Sequence, residues 1–177
     1  LNNTTFKETD MYDSEELWSE ILPGLYQGGT DSADERMLVN VPPQITRKDF
    51  DTVITLYANA GPVDWYVKEV RLGFFDHDEV DLDEHDLAHA VRIAFRDWTR
   101  GRKVLIRCQA GWNRSGLVTA LVLLKAGYTP EDAIELIREK RSGYALCNDH
   151  FVDWIYANGE AFVSRITDSP SLAVMAQ

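Results

Sequence analysis

Cys108-Gln109-Ala110-Gly111-Trp112-Asn113-Arg114-Ser115-Gly116 lies between Val104-Leu105-Ile106-Arg107 and the apolar run Leu117 to Leu124, and the reading of this stretch decides the fold. The four residues before it are apolar up to Arg107 and β-branched at two positions, as in a buried strand. The run after it is apolar almost all round, as in a buried helix. A strand that turns sharply into a helix points its backbone N–H groups into one concavity, and the helix macrodipole adds partial positive charge there. An anion belongs in such a cup. The same field stabilises a thiolate: cysteines at helix N-termini beside a fixed cation have pKa values of roughly 3.5 to 7.5, against about 8.5 when free. Cys108 is therefore expected to be ionised at neutral pH. Arg114 keeps its proton, and its planar fork suits two oxygens of a phosphoryl group. Gly111 and Gly116 permit the curvature and close approach that the cup requires.

Outward from this loop, the chain alternates strand and helix patterns. Leu25 to Gln27 and Thr52 to Leu56 read as strands, with Asp31 to Leu38 as a short helix between them, ended by Pro42-Pro43. Val67-Lys68-Glu69-Val70-Arg71-Leu72 alternates apolar and charged residues, as a strand with one wet face does. From an N-cap at Asp81 or Asp83, Leu87, Val91, Ala94, Phe95 and Trp98 recur at helical spacing until Gly101. This crossover helix returns the chain to the Val104 strand in parallel. The loop helix stops at Gly127, Thr129-Pro130-Glu131 starts another, and Asp149 to Arg165 reads as a final helix weakened in its middle by Gly159. The predicted fold class is α/β, a small, mostly parallel sheet of four to five strands flanked by helices.

The chain has 177 residues, 45% hydrophobic, enough for one sizeable core and too short for two comfortable domains. Residues 1–20 are polar and acidic, with Leu17 and Trp18 as anchors, and read as an N-terminal arm; 21–166 form the domain and 167–177 a C-terminal tail. A net charge of −11 argues against nucleic acid or an anionic membrane as partner. No apolar run approaches the roughly 18 to 20 residues of a membrane span, and no stretch before Leu22 reads as a secretory leader. Two cysteines, with 38 residues between them, make no disulfide framework and fit a reducing cytoplasm. Composition leaves the oligomeric state open.

These residues resemble the Cys-x5-Arg protein tyrosine phosphatases, and among them the compact dual-specificity type. The likeness covers roughly residues 20 to 165. Ile21-Leu22-Pro23-Gly24-Leu25-Tyr26-Gln27-Gly28 is similar to the family's opening strand, and Asn148-Asp149-His150-Phe151 to its Asn-x-x-Phe segment before the last helix. The family carries a general-acid aspartate about thirty residues before the cysteine. Here Phe74-Phe75-Asp76-His77 places Asp76 32 positions upstream of Cys108. Strand, loop, helix and distant aspartate together make a far more specific signal than the loop motif alone. The family's histidine before the cysteine, which organises the loop, is replaced by Arg107, which keeps a positive charge without the ring.

The resemblance implies a nucleophile, Cys108, and a phosphate-holding Arg114, with Gln109, Ala110, Gly111, Trp112, Asn113 and Gly116 as the rest of the phosphate loop. Asp76 is the acid that spacing favours, and Asp78, then Asp81 and Asp83, are its competitors in an acidic run that also fits a solvated face. Ser115 either caps the helix or also donates to the Cys108 sulfur as a phosphoenzyme breaks down. Asn148 reads as an N-cap that also braces the loop, and Arg107 as possible support. Cys147 reads as a small buried residue, with a reversible disulfide to Cys108 as the alternative. Neither a metal nor another cofactor is implied. The loop has no lysine of the kind that superfamily members acting on inositol lipids carry, so the resemblance points to a phosphomonoester, phosphotyrosine first and then phosphoserine or phosphothreonine, on a protein or a small molecule. Trp112 is either a rim residue that stacks on such a ring or a packing residue. Competing readings are a phosphatase for a nucleotide, an RNA 5′ end or an inositol phosphate, and a non-catalytic phosphate reader.

Overall fold

The computed structural model describes residues 16–30, 45–77 and 83–167. The expected helix at 31–38, its Pro42-Pro43 stop, Asp78, Asp81, most of the N-terminal arm and the tail from 168 onward lie outside the described residues.

Five strands form one sheet in the order β1-β2-β5-β3-β4. They are β1 (Trp18–Leu22), β2 (Leu25–Gly28), β3 (Thr52–Thr55), β4 (Lys68–Arg71) and β5 (Val104–Arg107). β2, β5, β3 and β4 run parallel, and only β1 is antiparallel, paired with β2. The first strand begins inside what the sequence reads as the arm. Pro23-Gly24 makes a tight turn, with Gly24 at φ 82°, so the residues before it fold back on Leu25–Gly28. Val104, Ile106 and Cys108 face the main core beneath the helices, whereas Leu105 faces a smaller cluster with Phe50 and Val53 on the other side, as strand alternation requires.

α1 (Glu84–Thr99) is capped by Asp83, whose carboxylate accepts from the N–H groups of His85 and Asp86. α1 lies against β3 and β5 and beside α2 (Arg114–Lys125), the loop helix, in which every residue from Arg114 to Leu124 is buried. A helix apolar almost all round from Leu117 to Leu124 requires such a place, and truncating one of its leucines to alanine would cost about 3 kcal/mol. α3 (Pro130–Lys140) starts at Thr129, whose side chain accepts from the Asp132 N–H. The final helix is not continuous. α4 (Asp149–Trp154) passes through a π-helical turn at Ile155–Gly159 into α5 (Glu160–Ser164). Gly159 sits where it does because a Cβ there would lie 2.7 Å from Leu124 Cδ2; the helix widens against α2 instead of merely weakening.

Candidate active site

Parallel pairing aligns Gly28, Arg107 and Thr55 in register, so β2, β5 and β3 end together and the phosphate-loop segment starts at their carboxyl edge. Ligands of open α/β sheets bind at such an edge. The loop is anchored at its start by the Cys108 N–H, which donates to Gly28 O at 3.1 Å.

Each loop carbonyl is drawn outward by its own donor. Gln109 O accepts from Thr30 N at 2.9 Å, and Trp112 O from Leu146 N at 3.2 Å. Gly111 O accepts from Gln27 Nε2 at 3.1 Å and from Arg141 Nε at 3.3 Å, and Ala110 O from Arg141 at 3.5 Å. No cis peptide occurs among the described residues. In a trans peptide the C=O and the following N–H point in opposite directions. The N–H groups of Ala110, Gly111, Trp112 and Asn113 therefore turn inward, and among the described residues none donates to a backbone acceptor. Converging unpaired donors at the start of a twelve-residue helix form an anion site.

Cys108 is a free thiol, 2% exposed, with its Sγ 3.3 Å from Ser115 Oγ. Ser115 does not cap α2: the N-cap position belongs to Asn113, and Ser115 lies inside the helix with its hydroxyl on the sulfur. Arg114 is 9% exposed and donates to Leu56 O at 3.4 Å and Phe74 O at 3.2 Å, with its guanidinium 5.2 Å from the Tyr57 ring centroid. Its Nε is buried without a partner. A buried guanidinium held by carbonyls and a ring, with no carboxylate paired to it among the described residues, carries charge and a donor that await an anion.

Arg107 points away from all this. It is 1% exposed and lies on the opposite face of the sheet, where it donates to Thr55 Oγ1 at 3.0 Å, Gly61 O at 2.6 Å and Glu69 Oε1 at 3.3 Å. It supports the sheet and not the sulfur. The cation beneath the loop is Arg141, which no local motif marks at its place 33 positions from Cys108. It is 6% exposed, and besides the two loop carbonyls it donates to Glu16 O and Ser19 Oγ. Burial pulls the Arg141 guanidinium below its ordinary value, while the Cys108 side chain and then Glu16 support its charge.

Asp76 is brought to the loop. Its Oδ2 accepts from Asn113 Nδ2 at 3.0 Å and its Oδ1 from Asn148 Nδ2 at 2.8 Å. Asp83 caps α1, and Asp78 and Asp81 lie outside the described residues. Asn148 caps α4 by accepting from His150 N at 3.1 Å, and Gly116 lies close under Leu146, where a Cβ would meet Cγ at 2.9 Å. Cys147 is exposed, not buried, because Leu146, with φ 58°, takes the inward position; its thiol donates to Asn113 Oδ1 at 3.4 Å.

A cavity of about 480 Å³ opens beside the loop, walled by Tyr57, Phe74, Phe75, Asp76, Gln109 and Arg114. Trp112 is not among its walls and packs on Tyr144 with ring centroids 5.8 Å apart. Of the two readings of Trp112, the structure shows the packing one, and the ring that lines the cavity beside Arg114 is Tyr57, which no local motif marks. Gln27 was legible in principle, as a polar residue inside a central strand. The atoms that converge enough to hold a cation, among the described residues, belong to Asp83, His85 and Asp86 at the exposed start of α1. No described helix is long and apolar enough to cross a membrane.

Residues 39–161 match the family model of the dual specificity phosphatase catalytic domain. Similar solved structures include human DUSP28, at 21% identity and TM-score 0.67, covering 82% of this chain and 95% of that one. The human tyrosine phosphatase-like serine/threonine/tyrosine-interacting protein aligns at 22% identity and TM-score 0.64, over 82% of this chain and 97% of the other. PTPMT1 in complex with PI(5)P aligns at 19% identity and TM-score 0.61, over 86% of this chain and 100% of that one.

Proposed function

The chain belongs to the dual specificity phosphatase family, and on that premise we propose that it hydrolyses phosphomonoesters, phosphotyrosine first and phosphoserine or phosphothreonine second, through a cysteinyl-phosphate. The observation that carries this reading is the coincidence of one buried sulfur, four successive loop N–H groups without a backbone acceptor and an unpaired buried Arg114 Nε at a single loop.

In the first step the Cys108 thiolate attacks phosphorus in line. The S–P bond forms as the P–O bond to the leaving group breaks, and Asp76 passes its proton to the departing oxygen. The loop amides and Arg114 hold the equatorial oxygens throughout, supplying the charge compensation of an oxyanion hole. In the second step water attacks phosphorus and gives its proton to Asp76. The S–P bond breaks, Ser115 supports the returning thiolate by hydrogen bonding, and inorganic phosphate leaves.

An aryl phosphate suits the cavity because its walls include Tyr57, Phe74 and Phe75 and, besides His77, Arg114 as the only basic side chain among the described residues. An inositol polyphosphate would need further cations there, and a polyanionic RNA end would meet a chain of net charge −11. A reducing cytoplasmic setting belongs to the same proposal, since the mechanism requires the free Cys108 thiolate.

Turnover of p-nitrophenyl phosphate, inhibited by vanadate, tests the reading. Cys108→Ser is expected to abolish turnover while still binding vanadate or phosphate. Full activity in that variant, or no turnover of any phosphomonoester by the unaltered protein, refutes it.

A further inference from the structure

We propose that Asn148 is a positioning residue for proton transfer, its side-chain amide fixing the Asp76 carboxyl against the phosphate loop in concert with Asn113. The inference rests on the assignment of Asp76 as proton donor given above.

Asp76 is exposed and lies on a segment after β4 without regular structure. Left alone, such a carboxyl samples several rotamers, and proton transfer requires one geometry. Two amides from two different elements remove that freedom. Asn113 is in the loop, at the N-cap position of α2, yet makes no capping bond with its side chain; its amide goes to Asp76 Oδ2 instead. Asn148 stands at the start of α4, and its Nδ2 is shared between Asp76 Oδ1 at 2.8 Å and the backbone carbonyl of His77 at 3.2 Å. It therefore grips both the acid and the next peptide. The Asn148 N–H donates to Asn113 Oδ1 at 3.1 Å, which ties the two amides into one unit.

The side-chain type is informative. The cap of α4 needs only an oxygen, which aspartate or serine supplies as well as asparagine does. Holding a carboxylate at the same time needs a donor on the same side chain; a serine or threonine hydroxyl must do both with one atom, and of the good capping residues only asparagine puts the acceptor and the donor on separate atoms. A purely structural cap does not ask for that combination.

Asn148→Asp and Asn148→Ser test this: both keep the cap oxygen, aspartate has no donor, and serine replaces the NH₂ by a single hydroxyl, one bond shorter, that is also the cap oxygen. The readout is kcat/KM across aryl phosphates running from 2,4-dinitrophenyl phosphate, whose leaving group needs no proton, to phenyl phosphate, whose leaving group does. Phenyl phosphate hydrolysis is expected to fall about 10- to 100-fold with dinitrophenyl phosphate changed by less than about threefold, so the dependence on leaving-group basicity steepens. Thermal midpoint and the rate of Cys108 alkylation should stay at their original values. An equal loss across the series, or none, overturns the proposal and leaves Asn148 a cap. If the unaltered protein turns over none of the series, the functional reading itself fails.

Discussion

Arg107 Nη2 lies 3.3 Å from Glu69 Oε1 on the face of the sheet opposite Cys108, which it adjoins in sequence. One residue separates the two roles because consecutive side chains of a strand point to opposite faces. The cation next to Cys108 in the chain belongs to the sheet, and the one next to the loop in space comes from the end of α3.

Arg107→Met is expected to destabilise the fold by about 1–3 kcal/mol, since it removes buried donors to Thr55 Oγ1, Gly61 O and Glu69 and leaves Arg71 as a cation on Glu69. Adding Glu69→Met to that variant should recover at most part of the loss, because Arg71 and Thr55 then lose their carboxylate partner. Urea unfolding measures both, and vanadate affinity per folded molecule should change in neither.

Removing Arg141 should act on anion binding. In Arg141→Met, Ala110 O loses its donor and Gly111 O keeps only Gln27, so the inward N–H groups lose their alignment. Vanadate inhibition is expected to weaken by about 10- to 100-fold. Arg141→Lys should recover only part of this, because an ammonium cannot fork to four acceptors.

Gly111→Ala tests the loop backbone itself. Gly111 has φ 78°, and a Cβ there would lie 2.4 Å from Gly28 C, against backbone that cannot swing away. The left-handed conformation alone costs an alanine about 1–2 kcal/mol. Calorimetry should show a lowered melting point, and vanadate titration an affinity weakened by about 100-fold or more.

Asp97 sets an acid limit on stability. Burial pushes its carboxyl up, but hydrogen bonds from Lys68, Arg96 and Thr52 together outweigh that and hold it below the ordinary value. A depressed folded pKa contributes stability in full above the unfolded value of about 3.9, and the contribution is lost as pH falls through the lower folded value. Asp97→Asn should therefore cost about 1–3 kcal/mol at pH 7, since the cations it leaves, Lys68 and Arg96, are partly exposed, with the gap between variant and original closing below about pH 4. Urea unfolding at several pH values reads this directly.

Much of the site was legible because it is local. Cys108, Arg114 and Ser115 are fixed relative to one another by a strand, a turn and a helix start, all of which have sequence signatures. Asp76 was reached only through the family's spacing, since an acidic run offers several carboxylates and no local rule ranks them. Gln27, Arg141 and Tyr57 carry no such mark: each meets the loop through pairing or packing between elements distant in the chain. Cys147 was misplaced for a related reason. Hydropathy puts a cysteine inside, but Leu146 adopts a left-handed backbone to fill that space and to donate to Trp112 O, and the thiol is left outside.

The sequence by itself determined the strand, the loop, the apolar helix and the chemistry of a sulfur beside a guanidinium. These follow from short-range periodicity and backbone geometry, which the chain writes down residue by residue. Only the tertiary structure decided which buttress holds each carbonyl, which arginine faces the loop, and which amides hold the Asp76 carboxyl. Those contacts join residues from 30 to 80 or more positions apart, and they exist only once the sheet order brings their elements to one edge.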